Sequence, residues 1–331
     1  MQSVGKFPRF LLGAGRRGQL ASAGTAVRRR LANFNAPPGN NDDDLSKENE
    51  WKNPDSAVDP TAYVRYLDGI FEGMASLGPA VDYKCQVYQM MEIKAGDSII
   101  DIGCGTGADV LALSELLTKT GGGGKVTGVD ISDTMVREAQ DKLKSRSDIT
   151  RISERRVKID FHTGDAQQLV DIPSDSYDIC RSDRSLQHVP SPKAAVAEMV
   201  RISKPGVGRI IVTEPDWETL VLDSPSHGRV TRKIINHFTD TRVNGWMGRQ
   251  LSRIFKNAGL VDVTVVPMTT PMTNLDFIRA AYLDKARKIA VEASVVTEQE
   301  ASDWMAELID LNKADQFFSS LTIYCVKGNV E

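Results

Sequence analysis

Cysteine is scarce in this 331-residue chain: Cys85, Cys104, Cys180 and Cys325 stand far apart and form no CxxC pair. That argues against a disulfide framework and a Cys-based structural zinc site, and it suits a reducing compartment. Histidine is equally rare. His162, His188, His227 and His237 show no metal-ligand spacing, so no resident metal is expected. No apolar run approaches the roughly 18 residues that cross a bilayer, which argues against a spanning helix and leaves peripheral contact open. Acidic residues are missing before Asp42, whereas Lys6, Arg9, Arg16, Arg17, Arg28, Arg29 and Arg30 fall there. The net charge of −3 therefore averages a basic start and a distinctly acidic remainder. An acidic body suits a phosphate backbone poorly, so nucleic acid is not an expected partner.

Residues 1–41 are rich in Arg, Ser, Ala and Gly, with apolar clusters at Phe7, Phe10, Leu11 and Leu12. They lack the long apolar core of a secretory signal and read as an organelle-targeting segment, mitochondrial ahead of plastid. The alternative is a solvated tail on a cytoplasmic protein. Residues 42–60 open with an acidic run just past Pro37-Pro38-Gly39 and read as a linker.

From about residue 85, short apolar runs alternate with amphipathic segments, the pattern of βαβ units around a parallel sheet. Strands are expected over 98–102, 126–130, 157–162, 177–181 and 209–213, with a terminal pair at 261–266 and 322–326. Helices are expected over 108–119, after Ser132 as N-cap, and over 192–203 and 249–257. Two insertions interrupt the repeat, at about 216–248 and 270–318, the second helical in pattern over 275–293 and 297–312. Insertions on a doubly wound sheet usually cover the ligand face.

Asp101-Ile102-Gly103-Cys104-Gly105-Thr106-Gly107 joins the first strand to the first helix. Its glycines let backbone approach a ligand at the carboxyl ends of the strands. Gly103, Gly105 and Gly107 make GxGxG, not the GxGxxG of dinucleotide binders. The Asp101 carboxylate would repel a pyrophosphate and attract an amino-acid ammonium group. That favours S-adenosylmethionine over a nicotinamide cofactor. Asp130, ending the second strand, can accept from both ribose hydroxyls, or serve as a helix-entry acid before Ser132. Asp165 in Gly164-Asp165-Ala166 can accept from an adenine amino group, or form an Asx turn. Ile131 and Met135 can sandwich a purine, or simply pack in the core.

With these residues in view, the chain resembles the class I S-adenosylmethionine-dependent methyltransferases. Within them it is similar to the small-molecule branch of ubiquinone/menaquinone-type C-methyltransferases. The motifs carrying the resemblance are DIGCGTG (101–107), GVDIS (128–132), GDAQQL (164–169), YDICRSDRSLQHV (177–189) and EMVRISKPGVGRIIVTEP (198–215). They span about residues 85–267 and the final strand, and they speak to cofactor and fold rather than substrate. The resemblance implies a Rossmann-like, doubly wound α/β fold over 61–331, with a seven-stranded sheet whose last strand is antiparallel. It implies cofactor contacts at Asp101, Gly103, Gly105, Asp130 and Asp165, with Cys104 and Gly107 supplying backbone in the same loop and Ala166 beside Asp165. Val207, inserted into the usual Lys-Pro-Gly-Gly, should alter only a turn far from the donor.

Methyl transfer from a sulfonium is a direct displacement, so the protein must align the partners, exclude water and, where needed, remove a proton. The segment Arg181–His188 should face the methyl group. His188 can act as a base near neutral pH or pack its segment. Arg181 and Arg184 can hold the donor carboxylate or an acceptor anion, or be ion-paired. Trp217, Trp246 and Arg249 are candidate walls of the acceptor pocket, although both Trp residues can instead simply pack an insertion. Tyr63 and Tyr66 can close the N-terminal side over the cofactor or belong to an amphipathic covering helix without ligand contact. The expected function is methylation of a small-molecule acceptor. An organellar quinone-pathway C-methyltransferase and a non-catalytic donor-binding assembly subunit are the alternatives.

Overall fold

The computed structural model describes residues 55, 59–62, 64, 78–145, 157–241 and 244–331. The expected targeting segment, most of the linker, Tyr63, Tyr66 and the connection 146–156 lie outside them.

The elements run α1 (Gly78–Met91), β1 (Ser98–Ile102), α2 (Ala108–Lys119), β2 (Gly124–Asp130), α3 (Asp133–Ser145), β3 (Val157–Thr163) and β4 (Ile179–Asp183). They continue with α4 (Pro192–Ile202), β5 (Arg209–Pro215), β6 (Val221–Leu222), α5 (Gly228–Asp240), α6 (Met247–Asn257) and β7 (Val261–Met272). Then come α7 (Leu275–Ile278), a π turn (Arg279–Leu283), α8 (Asp284–Glu292), α9 (Glu298–Lys313) and β8 (Ser319–Asn329).

Strands β3, β2, β1, β4 and β5 pair in parallel in that order. The chain returns antiparallel as β8, hydrogen-bonded to β5 on one edge and to β7 on the other. Parallel strands covered on both faces read as nearly continuous apolar runs, and the two faces divide the residues by alternation. Ile99, Ile179 and Ile211 pack on one side with Val87 of α1 and Leu113 of α2. Ile100, Cys180 and Ile210 pack on the other with Met199 of α4 and Phe255 of α6. Ser132 starts α3, its hydroxyl accepting from the Met135 N–H at 3.1 Å.

Among the described residues the sheet has eight strands, where seven were expected. The extra one is the two-residue β6 of the first insertion, which pairs Val221 and Leu222 with β8 beyond the end of β5. The last strand is antiparallel as expected. Strand β7 reaches Met272, beyond the expected 266, because it follows β8 along nearly its whole length. Val207 is exposed in the turn before β5.

The two insertions share a third core. Phe238 of α5, Leu283 of the π turn, and Trp304 and Leu308 of α9 are fully buried together. The Trp304 indole donates to Thr231 Oγ1 at 2.9 Å, and Thr297 and Glu300 form a capping box at the start of α9. Glu307 on α9 accepts from the Ser224 hydroxyl at 2.6 Å and the Ser226 N–H at 2.8 Å, tying the loop before α5 to α9. Among the described residues, no helix is long and apolar enough to cross a membrane.

Candidate functional site

The carboxyl ends of β1, β2, β4 and β5 open into a cavity of about 520 Å³, covered by residues of both insertions. This is the edge at which doubly wound sheets bind ligands.

The glycine loop forms one wall. Gly103 adopts φ 77°, and a Cβ there would fall 2.2 Å from Ser185 Oγ, so the loop approaches the segment after β4 only as glycine. The N–H groups of Gly103 and Cys104 both donate to the Val129 carbonyl, at 2.7 and 3.0 Å, folding the loop against β2. Asp130 pins it from the other side, accepting from the Gly105 N–H at 2.8 Å and the Ser132 N–H at 3.0 Å. Each of its oxygens has spent one of two lone pairs, so each retains capacity for a ligand hydroxyl. Burial pushes the Asp130 carboxyl up, against those backbone N–H groups. Burial likewise holds the Cys104 thiol well above its ordinary range, so this cysteine contributes backbone rather than a nucleophile.

Asp165 forms the Asx turn: it accepts from the Gln167 N–H at 2.8 Å while still lining the cavity. Ala166 and Met135 line it too, as does Ile131, a large apolar side chain left 48% exposed. An apolar surface presented to a cavity suits a flat apolar ligand face.

The next group is an ion cluster that no spacing rule brings together. The Arg181 guanidinium is almost completely buried and donates to Asp101 at 2.7 Å, Asp109 at 2.8 Å and Asp183 at 2.9 Å. Asp109 also accepts from Lys84 at 2.6 Å and from the Tyr88 hydroxyl at 2.7 Å. Arg184 stands 3.4 Å from Asp183, at a left-handed backbone position of φ 58°. Burial raises Asp101 to about 6, against the pull of Arg181. Burial opposes ionisation of Asp109 as well, but Arg181 and Lys84 together hold it well below the usual carboxylate range. Of the two readings of Arg181, anion holder or ion-paired side chain, the structure shows the ion-paired one: three carboxylates of the protein surround its charge. Arg184 is likewise matched by Asp183.

At the far end the wall is apolar. Trp217 meets Tyr282 edge-on at 5.2 Å and Phe238 at 5.3 Å, and its indole N–H donates to Gln187 Oε1 at 2.7 Å. Met272, Phe277, Ala281, Leu321 and Ile323 continue this surface. Between the two ends lies the 3₁₀ turn Leu186–His188, which presents His188 to the cavity. The buried Glu214 holds this turn by accepting from the Leu186 N–H. Asn244 ties it from the insertion, donating to the Val189 carbonyl at 2.8 Å.

Of the three candidate walls of the acceptor pocket, Trp217 lines the cavity, as do His188, Arg181 and Arg184 of the segment after β4. Trp246 precedes α6 away from it. Arg249 is turned outward, forming ion pairs with Asp216 and Glu218. Sequence reasoning missed Lys84, Asp109, Asp183 and the residues of the π turn. The acidic first turn of α2 was a signal for Asp109, but nothing local pointed to Ala281 or Tyr282. Among the described residues, no cluster of His, Cys, Asp and Glu is arranged to hold a metal ion.

Residues 93–259 match the model of a family described as a methyltransferase domain. An uncharacterized 37.1 kDa protein in transposon Tn4556 of Streptomyces fradiae is 33% identical over 265 residues, 80% of this chain and 70% of that protein. A demethylmenaquinone methyltransferase of Geobacillus stearothermophilus is 29% identical over 201 residues, 56% of this chain and 80% of that enzyme. Among solved structures, the YcgJ protein of Bacillus subtilis aligns over 74% of this chain and 98% of its own, with a TM-score of 0.49 and 21% identity.

Proposed function

This chain belongs to the methyltransferase-domain family, and on that premise we propose that it methylates a small-molecule acceptor by direct displacement from S-adenosylmethionine. The observation that carries this reading is the two-ended cavity, acidic and glycine-lined at one end, aromatic and aliphatic at the other, with His188 at the junction. When bound, S-adenosylmethionine supplies a methyl group already activated on a sulfonium, so no covalent enzyme intermediate is needed.

The chain's own residues align, shield and deprotonate. Asp101 attracts an ammonium group, while Asp130 keeps a lone pair on each oxygen for ribose hydroxyls. Ile131 and Met135 flank the purine, with Asp165 and Ala166 at its edge. Holding the donor this way converts a bimolecular encounter into an oriented one. The lid formed by the insertions excludes water from the apolar end. His188 takes the proton the acceptor loses as its new bond to the methyl carbon forms and the carbon–sulfur bond breaks.

The finer reading is C-methylation of a quinone-type ring in an organelle. It is supported by the apolar acceptor wall, by the relatives named demethylmenaquinone methyltransferase, and by the basic composition of residues 1–41. Isotope-labelled donor incubated with a metabolite extract, followed by mass spectrometry, tests the reaction. A labelled product together with S-adenosylhomocysteine is expected. Donor binding without labelled product across a broad acceptor screen would favour the assembly-subunit alternative. Failure to turn over any reduced demethylated quinone would remove the finer reading alone.

A further inference from the structure

The acceptor end has one local irregularity, and it lies in the cavity wall. Between α7 and α8 the chain makes a π turn, Arg279–Leu283, inside what is otherwise helix. Such turns are rare and occur often at functional sites, because the extra residue re-aims the side chains around it. Here the turn sends Ala281 and Tyr282 to the cavity while Leu283 stays in the lid core. Its neighbours are held in place. Tyr282 is fixed edge-on to Trp217, and Trp217 is fixed by its hydrogen bond to Gln187. The wall is thus rigid and aromatic, with a methyl side chain as its smallest part.

We propose that the π turn Arg279–Leu283 is the specificity element of the acceptor end, with Ala281 setting its depth, and that it selects an uncharged aromatic ring. This rests on the reading that donor and acceptor share this cavity. Edge-on aromatic walls favour a flat ring placed against them. From Trp217 through Phe277 and Ala281 to Ile323, the lining offers no cation or carboxylate. A phosphorylated or aliphatic-amine acceptor would therefore give up hydration there without a partner. Every part of this wall is contributed after residue 215, by the insertions and the strands that flank them. Enlarging Ala281 by a few carbons fills space a ring would take, and one methylene in an apolar pocket changes discrimination by about 10–200-fold.

The test is equilibrium binding to the full chain, saturated with S-adenosylhomocysteine, of three probes: 1-naphthol, 1-naphthyl phosphate and butylamine. On the wild-type chain, 1-naphthol should bind at least about tenfold more tightly than the other two. Ala281→Leu should weaken 1-naphthol about tenfold or more and leave S-adenosylhomocysteine affinity unchanged. Ala281→Val, a smaller step that keeps the result readable if the leucine variant misfolds, should give an intermediate loss. The proposal is overturned if a variant that still binds S-adenosylhomocysteine takes 1-naphthol as tightly as wild type. It is also overturned if the phosphate or the amine binds wild type as well as the naphthol does. Absence of S-adenosylhomocysteine binding to wild type would bring down the donor reading itself, and this inference with it.

Discussion

The two ends of the cavity are built by opposite means. The donor end gathers charged side chains from β1, β2, β4, α1 and α2, and their opposed charges lie within contact of one another. The acceptor end gathers aromatic and aliphatic side chains, nearly all from beyond residue 215, and is held mainly by packing, with the Trp217 indole hydrogen-bonded to Gln187 and the Tyr282 hydroxyl to Met272 Sδ. The difference teaches where each kind of ligand information resides. Charge recognition is placed on the rigid sheet edge, where geometry is set by the ladder. Shape recognition is placed on a lid with a hydrophobic core of its own.

Removing the centre of the donor-end cluster should do most damage. Arg181→Met leaves three carboxylates in one buried cluster, and loss of one partner from such a cluster costs about 3–5 kcal/mol. Urea unfolding should show that loss; less than about 1 kcal/mol would mean the cluster does not hold the donor end together. Asp130→Ala removes two ligand hydrogen bonds to a charged group, worth about 1.5 kcal/mol each at the low end, or roughly 100-fold in affinity. Calorimetric titration with S-adenosylhomocysteine measures it, and intact affinity would move the ribose contact elsewhere.

Trp217→Ala should raise acceptor KM about tenfold while donor affinity holds. A parallel loss of donor affinity would erase the division between the ends. Acid should weaken donor binding itself. Burial pushes the Asp101 carboxyl up to about 6, and on the proposed reading its ionised form attracts the donor ammonium. Donor affinity is therefore full above that pH and falls as pH drops through it, by about tenfold at pH 5. Affinity flat from pH 8 to 5 would take Asp101 out of donor binding. Arg249→Ala, outside the cavity, strips the buried Asp216 carboxylate of its partner and should cost about 1–3 kcal/mol in urea unfolding while donor affinity in calorimetric titration stays unchanged.

The donor end was legible because its signals are local. Gly103 sits at a left-handed turn of φ 77°, and Asp130 closes its strand two residues before a helix cap. Both constraints are written within a few residues of the chain. The roles of Arg181 and Arg249 were not legible. An arginine beside a cavity reads the same from sequence whether it binds a ligand, neutralises buried acids or braces a turn. Its partners, Asp101 and Asp109 for one and Asp216 and Glu218 for the other, lie up to 80 residues away.

By itself, the sequence determined the alternation of strands and helices, the position of the glycine loop and the acids at the ends of β1 and β2. Those features follow from hydrophobic period and backbone conformation, which act over a turn or a strand. Only the tertiary structure decided that Arg181 is matched by three carboxylates, that Arg249 faces outward and that a π turn completes the acceptor wall. Those outcomes depend on which distant side chains share one small volume, and that is settled by how the sheet and the inserted helices pack.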